Sequence, residues 1–253
     1  RWRRRALATV LAVLVIGAVA GVLIWQEKAN HVASPSPTWR AEPASIGPPA
    51  TSQQPPPPGG PTPRYDIARQ QLKALQVRGW DRTSDFRRYQ FGEAWSDDVN
   101  VEFGHNGCNT RDDILRRDLL DVVTTPGSNG CAVLSGILND PYTGETVAFQ
   151  RGPGSSAEVQ IDHVVALSDA WQTGAQQLDD FTRQNFANDP RNLQATVGWV
   201  NQEKGDSDAA SWLPPNNSYR CAYASRIVEV KAAYGLWVTP AEHDALERVL
   251  LNC

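Results

Sequence analysis

A proline-rich stretch near the N-terminus divides this sequence into parts that cannot fold in the same way. Residues 31–64 contain 11 of the 18 prolines. A segment of this composition buries too little apolar surface to offset the entropy that it would lose on ordering. We therefore interpret residues 31–64 as a disordered linker. Residues 65–253, which are long enough for one domain with a sizeable core, are expected to fold.

The segment before the linker has the pattern of an export signal. Residues 1–30 begin with RWRRR and continue with an uncharged apolar run from Ala6 to Trp25, which is long enough to cross a bilayer as a helix. Two interpretations stay open: a secretory signal cleaved after Ala20, or an uncleaved membrane anchor. Because the run continues past Ala20, we favour the anchor. Both interpretations place the remainder outside the cytoplasm, either membrane-anchored or secreted.

The cysteines agree with an extracytoplasmic location. All four lie in residues 65–253 and none has the spacing of a metal-binding pair, so two disulfides are expected. Three pairings are possible in principle. Residues 222–234 and 239–253 read as two helices joined by a short loop, which would make them antiparallel. This arrangement favours Cys221 with Cys253 and leaves Cys108 with Cys131.

The charge of the domain is acidic. From residue 101 onward the sequence has 11 Lys and Arg against 20 Asp and Glu. A protein that binds nucleic acid usually has the opposite balance, so this count argues against a general nucleic-acid-binding surface.

Short periodic segments predict a mixture of helices and strands. Apolar residues recur at helical spacing over residues 66–77 and 110–123. Two strands are expected around the Asp-Pro/Thr-Gly turn at 140–144. Residues 158–165 (EVQIDHVV) alternate as a strand, 192–197 (NLQATV) form a second candidate strand, and a helix is expected around Asn201. The long connection from residue 163 to residue 192 must contain a helix of its own.

Three of these segments carry residues of a recognisable kind and order. They are IDHVVAL, ANDPRNLQA and NQEKGD, and they resemble the HNH, or ββα-metal, endonucleases. Further segments are similar to the exported bacterial branch related to the C-terminal nuclease domain of GmrSD restriction enzymes: CNTRDDILRRDL, DPYTG, FANDPRNL, KGDSDAASWLPP and CAY. The resemblance covers about residues 65–253. It implies an α+β fold, with a ββα-metal core embedded in a mostly helical, disulfide-stabilised domain.

The resemblance also implies a role for each residue of the motif. His163 would be the general base that takes a proton from water, and Asp162 and Asn201 would be oxygen ligands of one Mg²⁺ or Mn²⁺ ion. Asn192 would hold the loop that carries His163, and Lys204 would lie near the phosphate of a DNA or RNA substrate. The expected activity is hydrolysis of phosphodiester bonds with low sequence specificity.

Purely structural roles for these residues are alternatives to the catalytic ones. Two other functions of the protein also stay open. Asp162 and His163 could be a buried hydrogen-bonded pair, Asn192 and Asn201 a turn residue and a helix cap, and Lys204 a surface lysine. Net acidity favours a non-catalytic cell-surface binding module on the same scaffold. A zinc-dependent cell-wall hydrolase is the weaker alternative, since further histidines at ligand spacing are missing. The roles of two further residues, Arg111 and Asp113, are left open between an ion pair and a phosphate contact.

Overall fold

A computed structural model describes residues 63–253 of the chain. The predicted anchor, residues 1–30, and nearly all of the predicted linker, residues 31–64, lie outside the described residues. Within the part described, no helix combines the length and apolar character needed to cross a bilayer.

Seven α-helices and five strands make up the described fold. They are α1 Pro63–Ala74, α2 Thr110–Asp118, β1 Leu119–Thr124, β2 Val133–Asn139, β3 Thr146–Gln150, β4 Val159–His163, α3 Leu167–Gln172, α4 Asp180–Asn188, β5 Leu193–Val197, α5 Gly198–Lys204, α6 Arg220–Ala233 and α7 Pro240–Leu251. Short 3-10 turns occur between them, including Arg88–Phe91 and Pro190–Asn192. The predicted mixed α and β class is confirmed.

Two antiparallel sheets form the β structure. Strands β1, β2 and β3 pair in sequence order, and the turn between β2 and β3 falls where the Asp-Pro/Thr-Gly pattern predicted it. Strands β4 and β5 form a separate pair, in which Ile161 lies opposite Ala195 and His163 opposite Leu193. Helix α5 follows β5 directly. The order strand, strand, helix around the Asp-His pair is therefore confirmed.

One predicted helix is only half correct. The pattern predicted a helix over residues 110–123, but helix α2 ends at Asp118 and residues 119–124 pair with β2 as strand β1. Val122 and Val123 are β-branched, and branching at Cβ favours a pleated strand over a helix. Leu119 is buried in the core beneath the sheet. Tertiary pairing with β2 thus outweighs the helical spacing of the apolar residues.

Two clusters of buried apolar side chains meet at the β4–β5 pair. One contains side chains of α2, β2 and both strands of the pair, among them Ile114, Leu138 and Ile161. The other is larger and aromatic, and it includes Phe91, Trp171 and Phe186. The end of β4 therefore lies where the two cores meet.

Both disulfides have the predicted pairing. Cys108 is bonded to Cys131, and Cys221 to Cys253, with Cα atoms 5.2 and 5.8 Å apart. Cys221 is in the first turn of α6, and Cys253 follows the end of α7. The predicted cap is also present, because the Thr239 side chain accepts a hydrogen bond from the Glu242 amide.

Candidate active site

The end of strand β4 directs its two polar residues to different surroundings. Val159 and Ile161 face the core beneath the sheet. Alternation along the strand turns Gln160 and Asp162 the other way. Their side chains meet helix α5, since Gln160 contacts Asn201 and Asp162 contacts Lys204. His163, the last residue of the strand, has a separate environment.

Asp162 lies at the centre of a buried polar cluster. Its Oδ1 accepts from Lys204 Nζ at 2.9 Å, and its Oδ2 accepts from the Tyr142 hydroxyl at 2.6 Å. Its side chain is only 5% exposed. Burial raises the pKa of the Asp162 carboxyl above its ordinary value, although Lys204 and Tyr142 act in the opposite direction.

The predicted position of Lys204 beside a substrate phosphate requires correction. Its side chain is fully enclosed, and Nζ donates both to Asp162 and to the His163 carbonyl oxygen at 2.8 Å. An ammonium group held in this way is not exposed to a substrate. Lys204 instead joins helix α5 to the end of strand β4, and so acts on the position of both residues of the Asp-His pair.

His163 is held by its Nε2 atom and by an aromatic ring. Nε2 lies 2.9 Å from the Ala187 carbonyl oxygen, and Trp95 stacks on the imidazole with ring centroids 5.9 Å apart and an angle of 13°. Because a carbonyl can only accept, Nε2 carries the proton and Nδ1 has the free lone pair. Burial lowers the pKa of His163 to about 3, although the hydrogen bond to the Ala187 carbonyl acts in the opposite direction; the charges of Arg88 and Lys204 also lower it. The imidazole is therefore neutral at physiological pH.

A cavity of about 250 Å³ adjoins this imidazole. Its walls include Trp95, Leu167, Ala187 and Asn188, and Arg88 is also among its lining residues. His163 is itself only 8% exposed, so the cavity provides its contact with the outside. A small molecule in this cavity would lie against the histidine.

Asn192 lies where the resemblance implied, at the backbone of the segment that follows His163. Its Oδ1 accepts from the Val165 amide at 2.8 Å, and its Nδ2 donates to the Val165 carbonyl at 3.3 Å. Nδ2 also reaches the Phe186 carbonyl at 3.5 Å, one residue before Ala187. Asn192 thus ties together the two segments that hold the imidazole.

Asn201 lies on helix α5 one turn before Lys204. Its Nδ2 donates to Gln160 Oε1 at 2.8 Å, which leaves its own Oδ1 as the acceptor end of the amide. Gln160 precedes Asp162 by two residues on the same face of β4. The structure therefore brings the helix that carries Asn201 to the face of Asp162, with Gln160 as the direct partner of Asn201.

Two of the predicted site residues have the type of donor atom that a hard divalent cation binds. Asp162 and Asn201 present carboxylate and amide oxygens, the donors that Mg²⁺ and Mn²⁺ prefer. An ionised carboxylate has about four lone-pair positions, and Lys204 and Tyr142 use two of them. Across residues 63–253, no group of three or more His, Cys, Asp or Glu side chains could hold a metal ion. A cluster of the kind that the zinc alternative requires is thus absent from this part of the chain.

Arg111 and Asp113 make structural contacts. The Arg111 guanidinium donates to the carbonyl oxygens of Ser156 and Val159 at 3.2 Å each, which braces the start of strand β4. Asp113 accepts from Arg116 and from Asn106 Nδ2. For Asp113 the ion pair is the correct alternative, and Arg111 supports the strand that leads to the site.

Several residues of the site were not predicted from the sequence. Tyr142 was expected only as part of a turn, although its hydroxyl binds Asp162. Trp95 and Arg88 lie about 70 residues before His163 in a segment without clear periodicity. The one available signal for Tyr142 was its position in the DPYTG segment that the family resemblance already included.

The arrangement defines a class: an α+β domain in which a strand pair and a helix hold an Asp-His pair beside a small cavity. Residues 109–249 match the family described as GmrSD restriction endonucleases, C-terminal domain. An "Uncharacterized secreted protein" from Arthroderma benhamiae (strain ATCC MYA-4681 / CBS 112371) is 38% identical over 193 residues, which are 76% of this chain and 87% of that protein. The chain belongs to the family of GmrSD C-terminal domains. No solved structure matches the chain, and the predicted bacterial branch stays a prediction.

Proposed function

We propose that the protein is an exported endonuclease that hydrolyses phosphodiester bonds of DNA, with RNA as the alternative substrate, and with low sequence specificity. The observation that carries the proposal is the state of His163. Its Nε2 is fixed on the Ala187 carbonyl, so the lone pair on Nδ1 is available to take a proton. The imidazole also forms part of the wall of a cavity.

The family supports this chemistry and the proposed architecture. It takes its description from restriction endonucleases, and nucleases of the ββα-metal type use two strands and a helix in the order of β4, β5 and α5. We propose that these three elements are such a core. The acidic balance of the domain is compatible with this function because one cation, Arg88, lines the cavity beside His163.

Each residue of the cluster would have a separate role in the reaction. His163 would accept the proton of the attacking water. Asp162 and Asn201 would supply oxygen donors to one Mg²⁺ or Mn²⁺ ion, which would stabilise charge on the scissile phosphate and on the leaving oxygen. Asn192 and Lys204 would be positioning residues, since both bind the backbone at and after His163.

Substrate binding would raise the pKa of His163 and so make it a better base. A pKa of about 3 keeps the imidazole unprotonated, but a general base works best when its pKa is near the operating pH. The negative charge of a phosphate beside His163 would favour the protonated imidazole and raise its pKa. The imidazole would thus become a better base when the substrate is bound.

Export is supported by two independent features. Two disulfides are present, and such bonds persist mainly in oxidising compartments. The 38% identical relative is named as a secreted protein. Whether residues 1–30 are cleaved or stay as a membrane anchor concerns residues outside those described, and the anchor remains a proposal.

The test is nicking of supercoiled plasmid by the full chain with magnesium or manganese, with and without EDTA. We expect nicking that EDTA abolishes, and we expect His163→Ala to lower the rate by about 10²-fold or more, the usual loss for a general base. His243→Ala, at a half-buried histidine on helix α7, is the matched control and should cleave like the parent.

A second function is favoured by one specific contact. Lys204 already neutralises Asp162 inside the fold, which is the arrangement expected if the scaffold binds a partner without catalysis. A folded parent protein that leaves plasmid intact with both metals, and behaves identically after His163→Ala, would support this binding module and exclude the nuclease.

A further inference from the structure

We infer that the cavity beside His163 is a nucleotide subsite, in which Arg88 binds a phosphate and Asn188 binds the attached base. The inference rests on the proposed function and extends it to how the substrate is held. Arg88 lies outside residues 109–249, the part that matches the family. The subsite would therefore combine a segment outside the matched residues with the family domain.

The segment that carries Arg88 is a fixed wall of the cavity. Phe91 is 2% exposed and packs against Trp171 and Phe186, which anchors the 3-10 turn in the aromatic core. Gly92 has a φ of +77°, and a Cβ atom there would meet the Gln184 side chain at 2.8 Å. Beyond it, the carbonyl of Trp95 accepts from the Thr110 amide at 3.2 Å. The position of Arg88 is thus set by contacts on both sides.

Arg88 is a cation in this wall that has no ion-pair partner among residues 63–253. Its neighbour Arg87 pairs with Asp85 at 3.7 Å, whereas within residues 63–253 no carboxylate lies within ion-pair distance of Arg88. Glu93 also lines the rim and partly offsets its charge. A guanidinium with free donors matches the geometry of phosphate oxygens, and Arg88 is close enough for its charge to act on His163.

Asn188 is one of the residues that line the same cavity, and its side-chain oxygen has no hydrogen-bond partner. It is 1% exposed, and its Nδ2 donates to the Gln184 carbonyl at 2.9 Å. The same bond fixes the orientation of the amide. Its Oδ1 is buried and has no hydrogen-bond partner. A buried acceptor without a partner is costly, and a ligand that donates a hydrogen bond would relieve that cost. Bases with an exocyclic amino group have such a donor.

The shape and lining suit one nucleoside. A volume of about 250 Å³ is just below the range of pockets for drug-sized molecules, roughly 300–1,000 Å³. Phe91, Trp95 and Leu167 provide apolar and aromatic walls, and aromatic side chains stack on any base. Neither a protein segment nor a duplex would enter a space of this size, whereas a base turned out of a strand would.

The test measures binding of deoxyadenosine 5′-monophosphate to the full chain by calorimetry in EDTA, where no cleavage occurs. We expect Arg88→Gln to weaken binding by about 10-fold or more, the usual effect of losing a charged hydrogen bond. Arg87→Gln should bind like the parent. Asn188→Leu should weaken binding of deoxyadenosine monophosphate more than binding of the monophosphate of purine deoxyriboside, because only the former has a donor, its amino group, on the base.

The outcomes separate this subsite from the nuclease itself. A parent that does not bind the monophosphate at millimolar concentration, or an Arg88→Gln variant that binds it equally well, would overturn the subsite even if plasmid is nicked. Binding that depends on Arg88 in a protein that nicks nothing would leave the subsite standing and remove the proposed activity. If Arg88→Gln melts earlier than Arg87→Gln, Ala94→Trp, at an exposed residue of the rim, provides a second variant that must also lower the affinity.

Discussion

Lys204 and Asp162 form an ion pair whose loss can be measured. Nζ lies 2.9 Å from Oδ1, and the two side chains are 0% and 5% exposed. Removing one member of a buried pair typically costs about 3–5 kcal/mol because the other charge is left without a partner. We therefore expect Lys204→Met to lower the free energy of unfolding by about that amount, measured by urea denaturation. Lys73→Met, at an exposed lysine of α1, should change it by less than about 0.5 kcal/mol.

The double variant tests whether the cost comes from the orphaned carboxylate. Asp162→Asn with Lys204→Met leaves no buried charge at this position, and the amide oxygen of the substituted side chain could still accept from the Tyr142 hydroxyl. Its stability should therefore be higher than that of Lys204→Met alone. If the two substitutions simply add, the pair has no net coupling and the interpretation of Lys204 as the partner of Asp162 is wrong.

A second buried cluster combines one cation with two carboxylates. Lys231 Nζ lies 2.9 Å from Asp169 Oδ2 and 2.6 Å from Glu242 Oε2. Burial opposes the charge on Lys231, but the two carboxylates outweigh it and raise its pKa. One cation balances one carboxylate, and burial together with Asp169 raises the pKa of Glu242 to about 8. Glu242 therefore keeps its proton in the neutral folded protein.

This proton makes stability depend on pH in a defined direction. The unfolded chain releases the Glu242 proton near pH 4.5, the ordinary value, whereas the folded protein keeps it up to about pH 8. The folded state then binds one more proton between these values, so the free energy of unfolding falls as pH rises, by at most about 1.4 kcal/mol per unit. Glu242→Gln should remove this decline, and Glu247→Gln, at an exposed residue of the same helix, should keep it. Parallel stability curves for the parent and Glu242→Gln between pH 5 and 8 would contradict the assignment.

At the scale of elements, the sequence predicted best where local chemistry decides the structure. Alternation identified β4, because Val159 and Ile161 must face a core, and Thr239 with Pro240 identified the start of α7. The same reasoning failed at residues 119–124. Their apolar spacing suited a helix, yet strand β2 provides a partner for their backbone. Pairing with a distant strand is not encoded in the local pattern.

The groups that line the candidate site could not be predicted from local sequence patterns, for a related reason. Asp162, His163, Asn192 and Asn201 could be predicted because their order resembles a family. Trp95 reaches His163 from a segment without clear periodicity, and it adopts a φ of +60°, a conformation that a bulky residue rarely takes. The Ala187 carbonyl contacts the imidazole from the end of α4, and no side-chain pattern can reveal a backbone contact of this kind.

In the described domain as a whole, one disulfide lies beside the three-stranded sheet and the other joins the last two helices. Cys108–Cys131 joins the start of α2 to the start of β2, with a separation of 23 residues. Cys221–Cys253 joins α6 to the residues after α7, with a separation of 32. Neither bond contacts His163, Asp162 or the cavity. The disulfides should therefore affect the stability of the domain more than the chemistry of the site.

Removing the Cys221–Cys253 bond should separate these two properties. Cross-linking a loop of about 30 residues stabilises a fold by about 3–4 kcal/mol in the chain-entropy account. Cys221→Ser with Cys253→Ser should thus lower the free energy of unfolding by about that amount in urea denaturation. The parent in a reducing buffer should lose at least as much. At temperatures where the variant remains folded, its affinity for deoxyadenosine monophosphate should match that of the parent, because α6 and α7 do not line the cavity. A variant that unfolds at the same urea concentration as the parent, or one that stays folded but loses the nucleotide, would contradict a purely structural role for this disulfide.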